Sequence, residues 1–321
     1  MSLASPVPSF GRIAIIGAGH VGATAAYAIM LRALVREIVI IDQNAALAEA
    51  EAADIADANA LARPARVWAG DYADAASAGI AVITAGGATQ GSQSRLSVAA
   101  ESAAIVKDCV GSLMRAGFKG VLLVAANPVD LMTLVAAGCC GLPAGRVIGT
   151  GTLLDTSRLK QTLSQALAVA PASIEGLVLG EHGDSEVVCF STVRIGGQPL
   201  DPCGGDQPRI DKALIARQVR DAGYDIVKGK GYTSYGVATA IVRICEAIIR
   251  DERAVLPVST QLTGQYGFSG LCLSLPCIIG AEGVEKILAP ELDPHEVAAL
   301  ATSAEVLRTA FESLSASGLM P

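Results

Sequence analysis

His182 lies in the run Gly180-Glu181-His182-Gly183-Asp184-Ser185-Glu186, flanked by glycines and carboxylates rather than by an apolar stretch. It is one of three histidines in the chain, and an imidazole is the side chain best suited to give and take a proton near neutral pH. Upstream, Asp155 and Arg158 stand three residues apart on a predicted helix and so share one face. By spacing alone they read as a surface ion pair. With His182 downstream, a second arrangement opens. Asp155 would hold one ring nitrogen of His182 and fix its tautomer, while Arg158 would bind a carboxylate through two parallel hydrogen bonds. Nearer the start, Gly17-Ala18-Gly19-His20-Val21-Gly22 follows an apolar run and opens a helical pattern. Its glycines permit a tight turn and a close approach of backbone to a pyrophosphate, which the helix N-terminus then faces. A lone GxGxxG is a weak signal; the strand–turn–helix context strengthens it. Asp42, twenty positions past Gly22, suits the ribose hydroxyls of a dinucleotide and repels a 2′-phosphate. Gln43 and Asn44 follow, with no Arg or Lys to hold that phosphate, so NAD is favoured over NADP. His20, within the glycine loop, reads as a solvent-facing loop residue rather than a catalytic one. Together these features point to hydride transfer coupled to proton transfer.

The elements that must position these residues alternate in the first half. Arg12 to Ile16, Glu37 to Ile41, Val67 to Ala69, Ile80 to Thr84, Val121 to Ala125 and Val147 to Ile148 read as strands. Val21 to Leu34, Ser97 to Ala116 and Pro128 to Ala137 read as helices. Strands alternating with helices imply an α/β fold, a doubly wound parallel sheet with helices on both faces. After about residue 150 the pattern changes to a mixed α+β region. Helices are expected over Leu153 to Ala168, Ile210 to Lys228, Thr233 to Arg250 and Pro294 to Leu314. Strands are expected over Ile174 to Leu179, Val187 to Ile195, Val255 to Gln261 and Leu271 to Ile279, with a turn-rich stretch from Gly196 to Pro208. The expected division is a dinucleotide-binding domain over 1–150 and a substrate domain over 151–321, with a cleft between them.

Composition narrows the class. The chain has 321 residues, of which 51% are hydrophobic and 17% charged, and its mean hydropathy is +0.47. Charges, glycines or prolines break every apolar run, so no membrane span is expected, and the first ten residues lack the pattern of a secretory signal. Excess apolar surface is most simply explained by subunit interfaces, so a homodimer or homotetramer is expected. A net charge of −7 without a basic cluster argues against nucleic acid. The eight cysteines lack metal-ligand spacing. They read as reduced thiols of a cytoplasmic protein with no metal.

The ordered segments Gly17 to Gly22, Thr84-Ala85-Gly86-Gly87, Ser94-Arg95-Leu96, Ala126-Asn127-Pro128-Val129-Asp130, Leu154 to Arg158, Gly180 to Asp184 and Lys230 to Gly236 resemble the L-lactate/malate dehydrogenase family, nearly end to end. The resemblance implies a Rossmann domain followed by an α+β catalytic domain, NAD as cofactor, a small 2-oxo or 2-hydroxy monocarboxylic acid as substrate, and a role in carbohydrate metabolism. It implies that His182 is the acid–base, with Asp155 its partner, and that Arg158 anchors the substrate carboxylate. Arg95, on a mobile loop after the fourth strand, would close over the substrate and polarise its carbonyl. Asn127 would bond substrate or nicotinamide next to a cis bond to Pro128, Thr233 would line the substrate pocket, and Gly17, Gly19, His20, Val21, Gly22, Asp42, Ala85 and Gly86 would hold the cofactor.

Within the family, side-chain choice rests six residues before the loop arginine, where malate-type members carry arginine and lactate-type members usually glutamine. Here that position is Thr89, with Gln90 beside it, and no Arg or Lys lies between Ala85 and Ser94. A second buried carboxylate without a cation is costly, which disfavours oxaloacetate; Thr233 also matches lactate-type members. Gln90 would give a lactate/pyruvate site, whereas the smaller Thr89 would leave room for bulkier 2-oxo acids. A non-catalytic NAD-binding scaffold is the reading from another class. The presence of His182, Asp155, Arg158, Arg95 and Asn127 argues against it.

Overall fold

The computed structural model describes residues 10–62, 64–87, 95–200 and 210–316. Its first half runs β1 (Arg12–Ile16), α1 (His20–Leu31), β2 (Glu37–Ile41), α2 (Ala45–Asn59), β3 (Arg66–Ala69), α3 (Tyr72–Ala75), β4 (Ile80–Ile83), α4 (Arg95–Arg115), β5 (Val121–Val124), α5 (Val129–Cys140) and β6 (Val147–Gly149). The second half runs α6 (Leu153–Leu167), β7 (Ile174–Leu179), β8 (Val187–Ile195), β9 (Gln198–Pro199), α7 (Lys212–Lys230), α8 (Tyr235–Ile249), β10 (Ala254–Thr263), β11 (Ser269–Gly280), β12 (Gly283–Ile287) and α9 (Pro294–Ala316).

Strands β1 to β6 lie parallel in the order β6-β5-β4-β1-β2-β3. That is the doubly wound order whose reversal point, beside β1 and β4, opens a crevice at the carboxyl edge of the sheet. The central strands are apolar on both faces because helices cover both. Their two-residue period divides the core. Ala14, Ile16, Val39, Ile41, Ala81 and Ile83 face one side, and Ile13, Ile15, Ile38, Ile40, Ile80 and Val82 the other. Each fully buried isoleucine contributes about 1.5–3 kcal/mol relative to an exposed one.

The two late strands expected over Val255 to Gln261 and Leu271 to Ile279 pair with each other as β10 and β11. β10, β11 and β12 run antiparallel and extend the same sheet beyond β6 to nine strands, joined where Ser259 pairs with Gly149. Strands β7, β8 and β9 form a second, antiparallel sheet, and its core with α6 and α7 is built from Leu159, Leu163, Val178, Val193 and Val219. Four elements were not legible as sequence, among them the two-residue strand β9 within the turn-rich stretch. Helix α2 buries only Ala48, Ala52 and Ile55, a stripe too small to show as amphipathic. The single turn α3 is held by an Asp71/Asp74 capping box. Edge strand β12 carries charged Glu285 and Lys286. Among the described residues, no helix is long and apolar enough to cross a membrane.

The seam at Gly149 has no spare room. A Cβ there would overlap Thr133 Oγ1 on α5 and come within 2.9 Å of Ser259 Cβ. Gly149→Ala should therefore destabilise the protein by about 1–3 kcal/mol, seen as a lower urea midpoint with an unchanged slope. An unaltered midpoint would contradict this packing.

Candidate active site

The glycine loop joins β1 to α1 at the reversal point. Gly17 adopts φ +111°, and a Cβ on it would come within 2.6 Å of Ala85 N. A Cβ on Gly22 would run into the Gly17 carbonyl oxygen. These two glycines are required by the backbone conformation and by the close approach of helix to strand. Gly19, by contrast, has open space where a Cβ would stand. Asp42, just past β2, accepts the Ala18 N–H at 2.7 Å and the Asn44 N–H at 2.8 Å. Its carboxylate is thereby fixed at the mouth of the loop.

These groups border a cleft of about 540 Å³ lined by Gly17, Gly19, Asp42, Thr84, Ala85 and Gly86 among others. An open backbone cradle, a helix N-terminus and a fixed carboxylate suit the pyrophosphate and ribose of NAD. Val21 is half-buried in the first turn of α1. His20 opens that helix instead of lying in the loop. It is exposed, and its ring stacks on Tyr232 with centroids 3.8 Å apart and planes at 11°. Tyr232 precedes Thr233, which is half-buried in the connection between α7 and α8.

The second group of residues meets around α6. Asp155, in its first turn, is 1% exposed. One carboxylate oxygen, Oδ2, accepts from His182 Nδ1 at 2.5 Å, and the other, Oδ1, accepts from Arg158 Nη1 at 2.8 Å. The ion pair read from the i,i+3 spacing and the His–Asp pair therefore coexist on one carboxylate. Arg158 keeps further guanidinium donors for a substrate. A Cβ at Gly223 of α7 would stand 3.5 Å from Arg158 Nη2, so this helix passes close to the arginine without a side chain in the way.

The segment carrying His182 is held from several sides. Gly180 pairs with Ser274 of β11, N to O at 3.0 and 3.1 Å. Glu181 N–H donates to Ser303 Oγ of α9 at 2.8 Å, His182 N–H donates to Asp130 Oδ2 at 2.8 Å, and Tyr224 Oη donates to Asp184 Oδ1 at 2.7 Å. With Nδ1 committed to Asp155, Nε2 is the ring nitrogen left to exchange a proton.

Electrostatics follow from this burial. Desolvation alone would disfavour the imidazolium, but the Asp155 carboxylate, with Asp130 and Glu186 behind it, outweighs that and holds the His182 pKa at about 9. Burial likewise opposes ionisation of Asp155. The charges of His182 and Arg158 reverse it and keep that carboxyl below its ordinary range. Burial, then the like charge of Asp155, push Glu186 up to about 8, and its buried Oε1 has no hydrogen-bond partner among the described residues.

The other expected residues are placed as follows. Asn127 is exposed just past β5, and its bond to Pro128 is cis. Arg95 is the first residue of α4 and not part of a loop, because the helix begins two residues earlier than the apolar periodicity shows. Thr89 and Gln90 lie outside the described residues. Sequence reasoning did not single out Asp130, Glu186, Gly223 or Tyr232. Asp130, Glu186 and Tyr232 lie in quoted runs, but the partners that give Asp130 its meaning are more than 50 positions away.

Residues 11–149 match the profile of the lactate/malate dehydrogenase NAD binding domain, and residues 152–317 that of the lactate/malate dehydrogenase alpha/beta C-terminal domain. An L-lactate dehydrogenase of Thermoanaerobacter pseudethanolicus is 41% identical over 307 residues, 94% of this chain and 99% of the relative. That of Moorella thermoacetica is 42% identical over 309 residues, 95% of this chain and 98% of the relative. The crystal structure of a lactate dehydrogenase from a Medee basin deep-sea metagenome library superposes with a TM-score of 0.93 at 37% identity, covering 96% of this chain and all of that one (100%). The minor L-lactate dehydrogenase from Enterococcus mundtii, in its ligands-bound form, gives 0.92 at 36% identity, covering 95% and 99%. Matched in order by both domain profiles, and nearly end to end by such relatives, this chain belongs to the lactate/malate dehydrogenase family.

Proposed function

We propose that the protein is an NAD-dependent L-lactate dehydrogenase that interconverts pyruvate and L-lactate. The observation that carries this reading is the Arg158–Asp155–His182 contact chain, in a fold whose sheet edge opens a dinucleotide cleft. The names of the full-length relatives support it. A cytoplasmic homo-oligomer acting in carbohydrate metabolism is the setting we propose. The working division remains a cofactor domain over 1–150 and a substrate domain over 151–321.

Each residue then has a physical task. The glycine loop and Asp42 hold the cofactor, which when bound supplies the hydride to C2 of the 2-oxo acid. Arg158 takes the substrate carboxylate on the guanidinium donors that Asp155 leaves free. His182, protonated on Nε2, gives a proton to the carbonyl oxygen, and Asp155 stabilises the imidazolium and fixes its orientation. For oxidation, neutral His182 takes the hydroxyl proton. Arg95 polarises the carbonyl, Asn127 bonds near the reacting carbon, and Thr233 lines the pocket. Ala85, Gly86, Val21 and His20 border the cofactor.

The substrate side chain is assigned from the absence of Arg and Lys between Ala85 and Ser94, which leaves a second carboxylate without a partner. A second reading rests on Thr89, which is smaller than glutamine and would admit bulkier 2-oxo acids.

Three measurements test this reading. Comparing kcat/KM for pyruvate, oxaloacetate, 2-oxoisocaproate and phenylpyruvate with NADH should favour pyruvate. A preference for the larger acids would make Thr89 the specificity residue, and fast oxaloacetate turnover would overturn the assignment. His182→Gln should lower kcat by about 10²–10⁴-fold while leaving NADH affinity within about 2-fold, since the imidazole does not touch the glycine loop. Retained turnover would remove His182 from the chemistry. With the His182 pKa at about 9, pyruvate reduction needs the form that is lost as pH rises. Its kcat/KM should therefore fall above about 9, and lactate oxidation should rise through the same point. Asp155→Asn removes the main cause of the upward shift, so both limbs should move down toward the ordinary imidazole value; stationary limbs would refute that cause.

A further inference from the structure

Asp130 is a buried carboxylate with no task in the proton transfer just described. It sits in the first turn of α5, three positions past Asn127, and is 2% exposed. Its Oδ2 accepts the His182 main-chain N–H at 2.8 Å. Its Oδ1 accepts Ser259 Oγ of β10 at 2.6 Å, and Ser274 Oγ of β11 stands 3.5 Å away. Ser274 also pairs through its main chain with Gly180, and its hydroxyl accepts the Thr152 N–H at 3.2 Å. One side chain thus joins the Asn127 turn, the His182 segment and two strands of the extended sheet.

A staple does not need charge, since an asparagine fills the same volume. Burying a carboxylate is costly unless a nearby cation compensates. The direct partners of Asp130 are two hydroxyls and one N–H, and among the described residues it makes no ion pair. The cation that favours its ionised form is His182. Burial pushes Asp130 up to about 6, with the bonds from Ser259 and His182 opposing, so it is an anion over the neutral range.

We infer that Asp130 is a positioning residue for proton transfer, holding the His182 main chain against the Asn127 turn and supplying a second anion, beside Asp155, that keeps the imidazole charged. Three carboxyl groups act on His182, each from a different segment, and Glu186 among them is ionised only above about 8. They are Asp155 on α6, which also pairs with Arg158, Asp130 on α5, and Glu186 just ahead of β8. Glu181, next in sequence, opposes the ionisation of Asp130. This inference rests on His182 being the acid–base, and its test does not depend on turnover.

Because the chain has only three histidines, the His182 ring can be followed by NMR titration alongside His20 and His295. Asp130→Asn should lower the His182 midpoint by about one pH unit and leave the other two unmoved. NADH affinity should hold, because Asp42 and the glycine loop do not touch Asp130. The basic limb of pyruvate kcat/KM should move down in step. An unmoved His182 midpoint, with any loss of activity tracking lower thermal stability, would reduce Asp130 to a staple and overturn the inference.

A second readout covers an Asp130→Asn variant that does not fold. In the unaltered protein, the His182 resonances should show a minor inflection at about 6, and Ser259→Ala, which removes a bond to the ionised form, should move it upward. Absence of that inflection, or its indifference to Ser259→Ala, would also overturn the inference. Turnover failing while the titration responds would refute the functional reading alone.

Discussion

Everything in this site depends on one buried carboxylate that two cations share. Asp155 is 1% exposed and gives one oxygen to His182 and the other to Arg158. An isolated carboxylate in that place would take up a proton. Two charge-assisted hydrogen bonds keep it ionised instead. The ionised Asp155 then fixes the imidazole tautomer, favours its charged form and orients the guanidinium. His182 and Arg158, the acid–base group and carboxylate anchor we propose, thus take their geometry from a common reference point, so that neither can shift without disturbing the other.

The fold delivers that reference point by topology. The parallel strands end at one edge, where the first βα turn holds the Asp42 carboxylate through the Ala18 N–H. The chain leaves β6 at Gly149 and enters α6 within a few residues, so Asp155 and Arg158 start close to that same edge. His182 reaches them from the antiparallel sheet, and its segment is anchored to β11, α5, α7 and α9 by the contacts of Gly180, His182, Asp184 and Glu181. The sheet fixes the glycine loop and Asp42, and these bonds fix the His182 segment.

How far the sequence is legible follows from which interactions are local. The strands with sequences IAII, IVII and VLLV stand out because a strand buried on both faces is apolar throughout. The glycine loop stands out because Gly17 and Gly22 answer local steric demands within a strand–turn–helix context. Asp155 and Arg158 announce a shared helix face by spacing, but whether they pair with each other or with something else is decided by His182, 27 positions away. The answer, that both pairings occur on one carboxylate, needs coordinates. The same holds for Asp130, whose partners are 52, 129 and 144 positions distant, and for the late strands, whose place in the main sheet rests on a single pairing at Gly149. Helix α2 escaped because alanine buries too little surface to leave a periodic trace, although its helix propensity is high.

The most direct measurement is a crystal structure of the protein with NADH and oxamate, a 2-oxo acid analogue. The account predicts the oxamate carboxylate on Arg158, its carbonyl oxygen within hydrogen-bond distance of His182 Nε2, and Asp155 still joined to Nδ1. Oxamate bound elsewhere, or a His182 turned away from Asp155 to meet it, would contradict the claim that one shared carboxylate organises the site.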